Sequence, residues 1–285
     1  MSASCCCPTN LRRSSPRSPR TRRRIRSSSS SRPTSSPSAA SRPVRTGRTR
    51  TAERDCGRLP VADPAPTPGA LLFDLDGTML ETDPMHAAVF AELFAERGQK
   101  IDEAYYMANI HGRLNREIFG DFFPGEDAAA LADEKEARFR ERLGTEAAPM
   151  AGLPALIERA QAAGWKLAVV TNAPGPNAEA MLSAIGQRQH FDTIVLGDDC
   201  PRGKPDPYPY AEAMRRLGVP AEHCVAFEDS RAGVASAAGA GALVAGVRSA
   251  LDDAALKAAG AAVTIADFED PALEFALDRL NGATA

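Results

Sequence analysis

Short apolar runs alternate with helix-like segments along most of this chain, and this alternation constrains the fold more than any other feature. The runs are too short for helices, and each leads into a turn that carries polar residues. The predicted strands cover residues 70–73, 166–170, 193–196, 224–227 and 242–247. Strands that alternate with helices over short loops are typical of a parallel, doubly wound sheet. We therefore expect an α/β fold with a Rossmann-like core.

The stretch between the first two predicted strands is helical in pattern and contains no convincing strand. Asp83 is suited to an N-cap, and an apolar stripe with helical spacing follows it. Residues 128–143 are rich in Ala, Glu, Arg and Lys, which favour helices. We predict an inserted α-helical cap over residues 85–148 and an α/β core formed by residues 67–84 and 149–285.

The first 60 residues differ from the rest of the chain in composition. They contain 15 of the 34 Lys and Arg residues, all of them Arg, with only two acids and no Phe, Tyr or Trp. Such a segment cannot bury enough apolar area to offset the entropy lost on ordering, so we predict a disordered tail over residues 1–66. Three roles stay open for it: an organellar transit peptide, a basic arm that binds nucleic acid, and an upstream stretch without function.

Cysteine usage and hydropathy bear on the compartment. Four of the six cysteines lie in the tail, which leaves Cys200 and Cys224 and gives no disulfide framework and no paired-cysteine metal motif. The sequence contains no apolar run of the roughly 18 residues that a spanning helix needs, and no secretory signal follows Met1. We expect a cytoplasmic monomer without a membrane or nucleic-acid partner. If residues 1–66 are a transit peptide, the alternative location is an organelle such as the plastid.

The most informative motif, Asp-Leu-Asp-Gly-Thr at residues 74–78, directly follows the first predicted strand. Asp74 and Asp76 can face one pocket once the chain turns at Gly77, so that one carboxylate attacks while the other handles a proton. An Asx-type turn is the alternative interpretation. An EF-hand loop is disfavoured because the Gly comes too early and no Glu closes a twelve-residue loop.

Polar residues follow the other predicted strands as well. Thr171 and Asn172 come at the end of the second strand, where a hydroxyl and an amide can hold phosphate oxygens. Glu228 and Asp229 are adjacent acids after the fourth predicted strand, and carboxylate oxygens suit Mg²⁺. Lys204 lies in a Gly-Lys-Pro-Asp-Pro loop, which is not a P-loop because Pro replaces the required Ser or Thr. The carboxyl ends of parallel strands share one edge of the sheet, so the residues at these ends are the candidates for a ligand site.

The order of these motifs resembles that of the haloacid dehalogenase superfamily, in the branch with a helical cap between the first strand and the second motif. The resemblance covers about residues 70–250. Several segments are also similar to plant broad-range sugar-phosphate phosphatases, and the chain resembles β-phosphoglucomutase-like proteins as well. These segments are residues 83–86, 132–137, 170–174, 177–179 and 227–230.

The resemblance implies roles for the strand-end residues. Asp74 matches the nucleophile that forms an aspartyl-phosphate, and Asp76 matches the acid and base that protonates the leaving oxygen and then activates water. Thr171 and Lys204 match residues that hold the phosphate, with Asn172 beside Thr171.

The resemblance also implies a magnesium site. Asp229 matches a metal ligand, together with the carboxylate of Asp74 and the backbone carbonyl of Asp76, and Glu228 matches a residue behind these ligands or one that binds through water. The implied function is a Mg²⁺-dependent phosphatase of small phosphorylated metabolites, above all sugar phosphates. The alternatives are a β-phosphoglucomutase-like phosphomutase and, more remotely, an inert body with a nucleic-acid-binding tail.

Four cap residues match positions that contact substrate in the family. His86 lies twelve residues after Asp74, a spacing often used for a histidine near the leaving group, although a partly buried helix histidine is the alternative. His111, Arg113 and Arg116 match the cap loop that contacts the far end of the substrate. The β-phosphoglucomutase pattern has a Lys before the Gly of this loop and an Arg three residues after it. Here these places hold His111 and Asn115, so a tight second phosphate site is not expected.

Overall fold

The computed structural model describes residues 68–111 and 113–282, so the tail predicted for residues 1–66 lies outside the described part of the chain. Six strands and ten α-helices form within these residues. In chain order they are β1 (Ala70–Phe73), α1 (Asp83–Glu96), α2 (Glu103–Asn109), α3 (Asn115–Phe122), α4 (Ala128–Leu143), α5 (Leu153–Ala162), β2 (Lys166–Thr171), α6 (Gly175–Ala184), β3 (Thr193–Leu196), α7 (Tyr208–Leu217), β4 (Cys224–Glu228), α8 (Arg231–Gly239), β5 (Leu243–Val247), α9 (Asp253–Ala259), β6 (Val263–Ile265) and α10 (Leu273–Gly282).

All six strands are parallel and form one sheet in the order β3-β2-β1-β4-β5-β6. The predicted doubly wound α/β sheet is therefore confirmed. Strand β1 lies between β2 and β4, with Phe73 opposite Val169 on one side and opposite Phe227 on the other. Because these three strands are neighbours, the residues that follow their carboxyl ends emerge side by side at one edge of the sheet.

Alternate side chains of β1 enter two different apolar layers. Leu71 and Phe73 pack in a cluster with residues of α5, α6 and α10. Ala70 and Leu72 pack on the opposite face with residues of α7, α8 and α9. All four residues are fully buried, which is why β1 has the unbroken apolar sequence of a strand covered on both faces.

Helices α1–α4 have an apolar cluster of their own, built around Phe90, Phe94 and Phe119. The second half of α4 instead joins the sheet cluster through Phe139 and Leu143. Helix α4 therefore packs on both sides. The predicted bounds of the cap, residues 85–148, and of the core stay a prediction.

Some local predictions are wrong in detail. The N-cap of α1 is Thr82 rather than Asp83, because the Thr82 carbonyl accepts the first helical hydrogen bonds, from the N–H groups of Met85 (2.9 Å) and His86 (3.0 Å). Strand β4 extends one residue further, to Glu228, and the short edge strand β6 was not predicted at all. None of the described helices has the length and apolar character needed to cross a bilayer.

Candidate active site

The loop after β1 turns sharply and returns to the sheet edge. The N–H of Asp74 donates to the carbonyl of Phe227 at 3.0 Å, which continues the pairing of β1 with β4 by one residue. Gly77 then adopts a φ of +71°, in the left-handed region. A Cβ atom at Gly77 would lie 2.3 Å from Oδ2 of Asp229, so any other residue would clash with that carboxylate. The Gly of the motif thus allows the loop to approach Asp229 closely.

Lys204 joins the ends of β1 and β4. Its Nζ atom donates to Oδ1 of Asp74 and to Oε1 of Glu228, both at 2.5 Å, and only 4% of its side chain is exposed. Burial alone would lower the pKa of Lys204, but the charges of Asp74 and Glu228 outweigh it and raise this pKa. The hydroxyl of Tyr210 on α7 also donates to Oε1 of Glu228, at 2.7 Å. The lysine is therefore a fixed cation beside Asp74.

Glu228 is completely buried, and its carboxylate packs against a glycine in α8. A Cβ atom at Gly233 in the first turn of α8 would lie within 2.0 Å of the Glu228 carboxylate oxygens. Ser230, the N-cap of α8, accepts from the N–H of Gly233 at 3.0 Å and donates to Oε2 of Glu228 at 3.3 Å. The small residues of α8 thus position Glu228 at the end of β4.

Three carboxylates converge at this edge of the sheet. Oxygens of Asp74, Glu228 and Asp229 all lie within 4.8 Å of one another. Burial raises the pKa of Asp74 to about 7 although Lys204 opposes this, and burial with the charges of Asp74 and Glu228 raises the pKa of Asp229 well above its ordinary value. Lys204 is the cation that contacts this group, and a divalent cation with a preference for oxygen ligands would relieve the remaining repulsion. The residues therefore fit Mg²⁺.

Asp76 lies apart from this triad and faces the cap. Its Oδ1 atom accepts from the Thr82 hydroxyl at 2.8 Å and from Nε2 of His86 at 3.2 Å. Burial would raise the pKa of Asp76, but these two hydrogen bonds and nearby positive charge outweigh it and lower this pKa. Lys135 on α4 donates to Nδ1 of His86 at 2.8 Å, which leaves Nε2 to donate to Asp76. His86 also stacks on Phe139, with ring centroids 4.2 Å apart.

The two residues predicted to hold phosphate after β2 differ in their surroundings. Thr171 ends β2 and is 1% exposed, and its hydroxyl accepts from the N–H of Ala173 at 2.9 Å. Asn172 binds the loop that carries Lys204: its Oδ1 accepts from the Lys204 N–H at 3.2 Å, and its Nδ2 donates to the Lys204 carbonyl at 3.3 Å. A Cβ atom at Gly197 would lie 2.3 Å from this Oδ1. Asn172 therefore holds the backbone of Lys204 in place.

The other predicted cap residues are less closely linked to the strand ends. His111 pairs with Asp83 through atoms 3.4 Å apart, and this hydrogen bond raises the pKa of His111. Arg113 is exposed and donates to Asp121 at 2.5 Å, while Arg116 is exposed on α3. Within residues 68–111 and 113–282, no hydrogen bond or ion pair joins these three to the carboxylate triad.

Several residues of this region were not predicted from sequence. Thr82 donates to Asp76, Lys135 donates to His86, and Tyr210 donates to Glu228. Glu136 is a fourth such residue, and its carboxylate accepts from Asn115, Lys135 and Asn177. Lys135 had a detectable signal, since it lies one turn from both Leu131 and Phe139 on the buried stripe of α4. Glu136 lies in the segment 132–137 that resembles plant sugar-phosphate phosphatases, although the resemblance gives it no role. Tyr210 had no signal, because its partner Glu228 is 18 residues away in sequence.

Comparisons with known proteins identify the family that this chain matches. Residues 68–241 match the family described as haloacid dehalogenase-like hydrolase. The protein CbbY of Rhodobacter capsulatus is 35% identical over 185 residues, which are 60% of this chain and 82% of that protein. Fructose-1-phosphate phosphatase YqaB of Escherichia coli is 32% identical over 176 residues, 60% of this chain and 92% of the relative. A crystal structure of mutant CbbY from Rhodobacter sphaeroides in complex with xylulose-(1,5)bisphosphate has a TM-score of 0.61 and 32% identity, and the match covers 70% of this chain and 94% of that one.

Proposed function

Because this chain belongs to the haloacid dehalogenase-like hydrolase family, we propose that it is a Mg²⁺-dependent phosphatase acting on sugar phosphates through an aspartyl-phosphate. Family membership and several relatives that are named as phosphatases support phosphatase activity. The dependence on Mg²⁺, the aspartyl-phosphate and the sugar substrate are proposed on the grounds that follow.

One observation carries the proposal: a buried carboxylate and a buried ammonium are held together at the end of β1. The Asp74 oxygen lies 2.5 Å from Nζ of Lys204, which Glu228 fixes from the other side. An anionic nucleophile must approach an anionic ester, and a fixed cation beside it lowers the repulsion. In this mechanism Lys204 and Thr171 hold the phosphate oxygens while Asp74 attacks phosphorus.

The reaction needs two proton transfers at Asp76. As Asp74 forms its bond to phosphorus, the bond to the sugar oxygen breaks, and that oxygen takes a proton from Asp76. Asp76 then removes a proton from a water molecule that attacks the aspartyl-phosphate, which releases inorganic phosphate and restores Asp74. The hydrogen bonds from Thr82 and His86 lower the pKa of Asp76 and favour the second step. A bound phosphate ester adds negative charge nearby and raises this pKa for the first step.

Mg²⁺ would be held by the carboxylates of Asp74 and Asp229 and by the backbone carbonyl of Asp76. Glu228 would lie behind these ligands or bind the ion through water, because Lys204, Tyr210 and Ser230 already contact its oxygens. When bound, the ion would neutralise charge between the nucleophile and the phosphate and orient both.

The cap is proposed to select the substrate. His86 lies against Asp76 and would contact the leaving group, whereas His111, Arg113 and Arg116 would contact the far end of the substrate. Relatives named for fructose 1-phosphate and for phosphorylated carbohydrates support a sugar phosphate as the substrate class.

The test is release of inorganic phosphate by the purified full chain from a panel of hexose and pentose phosphates. We expect turnover of several sugars with Mg²⁺, no turnover in EDTA, and none by the Asp74→Asn variant. Turnover that persists in the Asp74→Asn variant would refute the mechanism, and a folded wild-type chain inactive on the entire panel would refute the substrate class.

A further inference from the structure

Three hydrogen-bond donors converge on the carboxylate of Glu136. Its Oε1 atom accepts from Nδ2 of Asn115 at 2.5 Å and from Nζ of Lys135 at 3.0 Å. Its Oε2 atom accepts from Nδ2 of Asn177 at 2.5 Å. The Glu136 side chain is 14% exposed, so this carboxylate is largely shielded from solvent and depends on these donors.

The donors come from three separate elements, and we name them the anion cradle. Asn115 is the first residue of α3, Lys135 lies on α4, and Asn177 lies in the first turn of α6 with 2% exposure. The Oδ1 atom of Asn177 accepts from Arg140 at 2.6 Å, which fixes the amide so that its N–H groups face Glu136. Sites that bind phosphate or carboxylate often contain amide and ammonium donors that point to one place. In this chain the carboxylate of Glu136 occupies the anion cradle.

The anion cradle lies beyond the residue that faces the leaving group. Nζ of Lys135 contacts Nδ1 of His86, whose Nε2 contacts Asp76, so one lysine joins the acid–base residue to the cradle. We take the far end of a substrate bound at Asp74 to lie past Asp76, on the side of His86 and Lys135 where the cradle lies. Asn115 also stands where the β-phosphoglucomutase pattern has an arginine.

We propose that Glu136 determines specificity by occupying the anion cradle and so excluding substrates that carry a second phosphate at the far end. This inference rests on the proposed function, because it takes the first phosphate to be bound at Asp74. A far end with neutral hydroxyls can donate to Glu136 and is accepted. A second phosphate must either displace a carboxylate that three donors hold or lie beside it, and like charges in such a site discriminate strongly.

Lys135 and Arg140, the two positive residues of α4 that contact the cradle, do not offer an alternative anchor. Lys135 is already shared between Glu136 and His86, and Arg140 is directed to Asn177. A second phosphate would therefore have to compete with existing partners for Lys135 and Arg140. It would also find the donors of the cradle bound to Glu136. The cradle therefore favours monophosphates only as long as Glu136 is present.

Kinetics on paired substrates test the inference. The quantity measured is kcat/KM for phosphate release from fructose 1,6-bisphosphate divided by that from fructose 6-phosphate, with the full chain and Mg²⁺. We expect Glu136→Ala, which opens the cradle and suits a helix, to raise this ratio at least about tenfold. Glu141→Ala is the matched control, because Glu141 lies on α4 and is exposed, and it should leave the ratio within about twofold. A ratio that stays the same or falls in folded Glu136→Ala protein would overturn the inference.

Glu136→Gln decides the question if the Ala variant does not fold. It keeps the size of the side chain and removes the charge, so the same ratio should rise, by a smaller factor than with Ala. No rise in folded Glu136→Gln protein would equally overturn the inference.

A binding measurement separates this inference from the proposed function. In the Asp74→Asn background, calorimetry compares the Kd values of fructose 1,6-bisphosphate and fructose 6-phosphate with and without Glu136→Ala. Relative tightening of the bisphosphate by about tenfold is expected. If wild-type protein hydrolyses neither sugar, the proposed substrate class fails, while this binding difference still supports or refutes the role of Glu136.

Discussion

Asp74 is buried beside both a cation and another carboxylate, and this setting governs its protonation. Its carboxylate contacts Lys204, yet burial and the neighbouring Glu228 raise its pKa to about 7. Near neutral pH the group is therefore partly protonated in the absence of other charge. In the proposed mechanism a bound phosphate adds negative charge, so we expect a divalent ion to help keep Asp74 ionised for attack.

Replacing Asp74 by Asn should abolish turnover and leave the fold intact. The variant keeps the shape of the side chain but cannot form an acyl phosphate, and it removes a charge that Glu228 and Asp229 repel. We expect kcat to fall by at least about four orders of magnitude, while the melting temperature does not decrease. Asp278→Asn on the exposed face of α10 is the control and should retain full activity. Hydrolysis at near wild-type rates by a folded Asp74→Asn chain would contradict the assignment.

His111 gives a prediction about pH and stability. Its hydrogen bond to Asp83 raises its pKa above 6.5, so the pair stabilises the fold fully below pH 6.5 and loses this effect as the pH rises through the folded-state pKa. Both side chains are partly exposed, which limits the contribution to less than about 1 kcal/mol. The His111→Gln variant should be less stable than wild type at about pH 5.5 and equally stable at about pH 9, measured by urea unfolding. Equal destabilisation at both pH values would contradict this, and an Asp83→Asn background should remove the difference.

At the scale of elements, the ends of β1 and β4 were predictable because these two strands are buried on both faces. Residues 70–73 and 224–227 are unbroken apolar runs followed by acids, and the parallel order brings these acids together. Strand β6, with only three residues between Ala-rich segments, has no pattern that separates it from a helix. The bonds of Glu136 could not be predicted either, because Asn115 and Asn177 are 21 and 41 residues away.

The carboxyl ends of β1 and β4 give a prediction about the metal. Among the described residues, the side chain of Asp229 accepts two long hydrogen bonds, both of 3.4 Å, from the hydroxyls of Thr78 and Ser249. A bound ion should therefore contribute more to its stabilisation than these hydroxyls. We expect EDTA to remove activity, Mg²⁺ to restore it, and Mg²⁺ to raise the melting temperature of wild type. The Asp229→Asn variant should need at least about tenfold more Mg²⁺ for half-maximal activity.

The control for this prediction lies at the same edge of the sheet. Asp199→Asn, an exposed acid after β3, should keep the wild-type Mg²⁺ dependence. Full activity after rigorous chelation, or a melting temperature that does not respond to Mg²⁺, would contradict a metal site at Asp229.

At the scale of the whole molecule, charge separates the chain into two unlike parts. Residues 61–285 contain 19 basic and 35 acidic residues, so the catalytic part is strongly acidic. Such a field disfavours highly charged substrates except where local cations compensate. In the proposed mechanism Lys204 would do so at the strand ends for one phosphate. A substrate with a single phosphate fits this distribution better than one with two.

This distribution of charge bears on whether the phosphoenzyme transfers its phosphate to water or to a second hydroxyl. A phosphomutase must retain a sugar bisphosphate while it turns over within the closed cap, which requires a strong second anion site. Here Asn115 is neutral and bound to Glu136, and Glu136 occupies the donors of the cradle.

We therefore expect the enzyme to convert β-glucose 1-phosphate to inorganic phosphate and no glucose 6-phosphate. The reaction is monitored by phosphorus NMR without a bisphosphate activator. The Glu136→Ala variant provides the internal comparison, since an opened cradle should retain the bisphosphate longer and divert part of the product to glucose 6-phosphate. Glucose 6-phosphate accumulating in the wild-type reaction with little inorganic phosphate would contradict hydrolysis, and the exposed Arg116 would then be the cap residue to test as a second phosphate anchor.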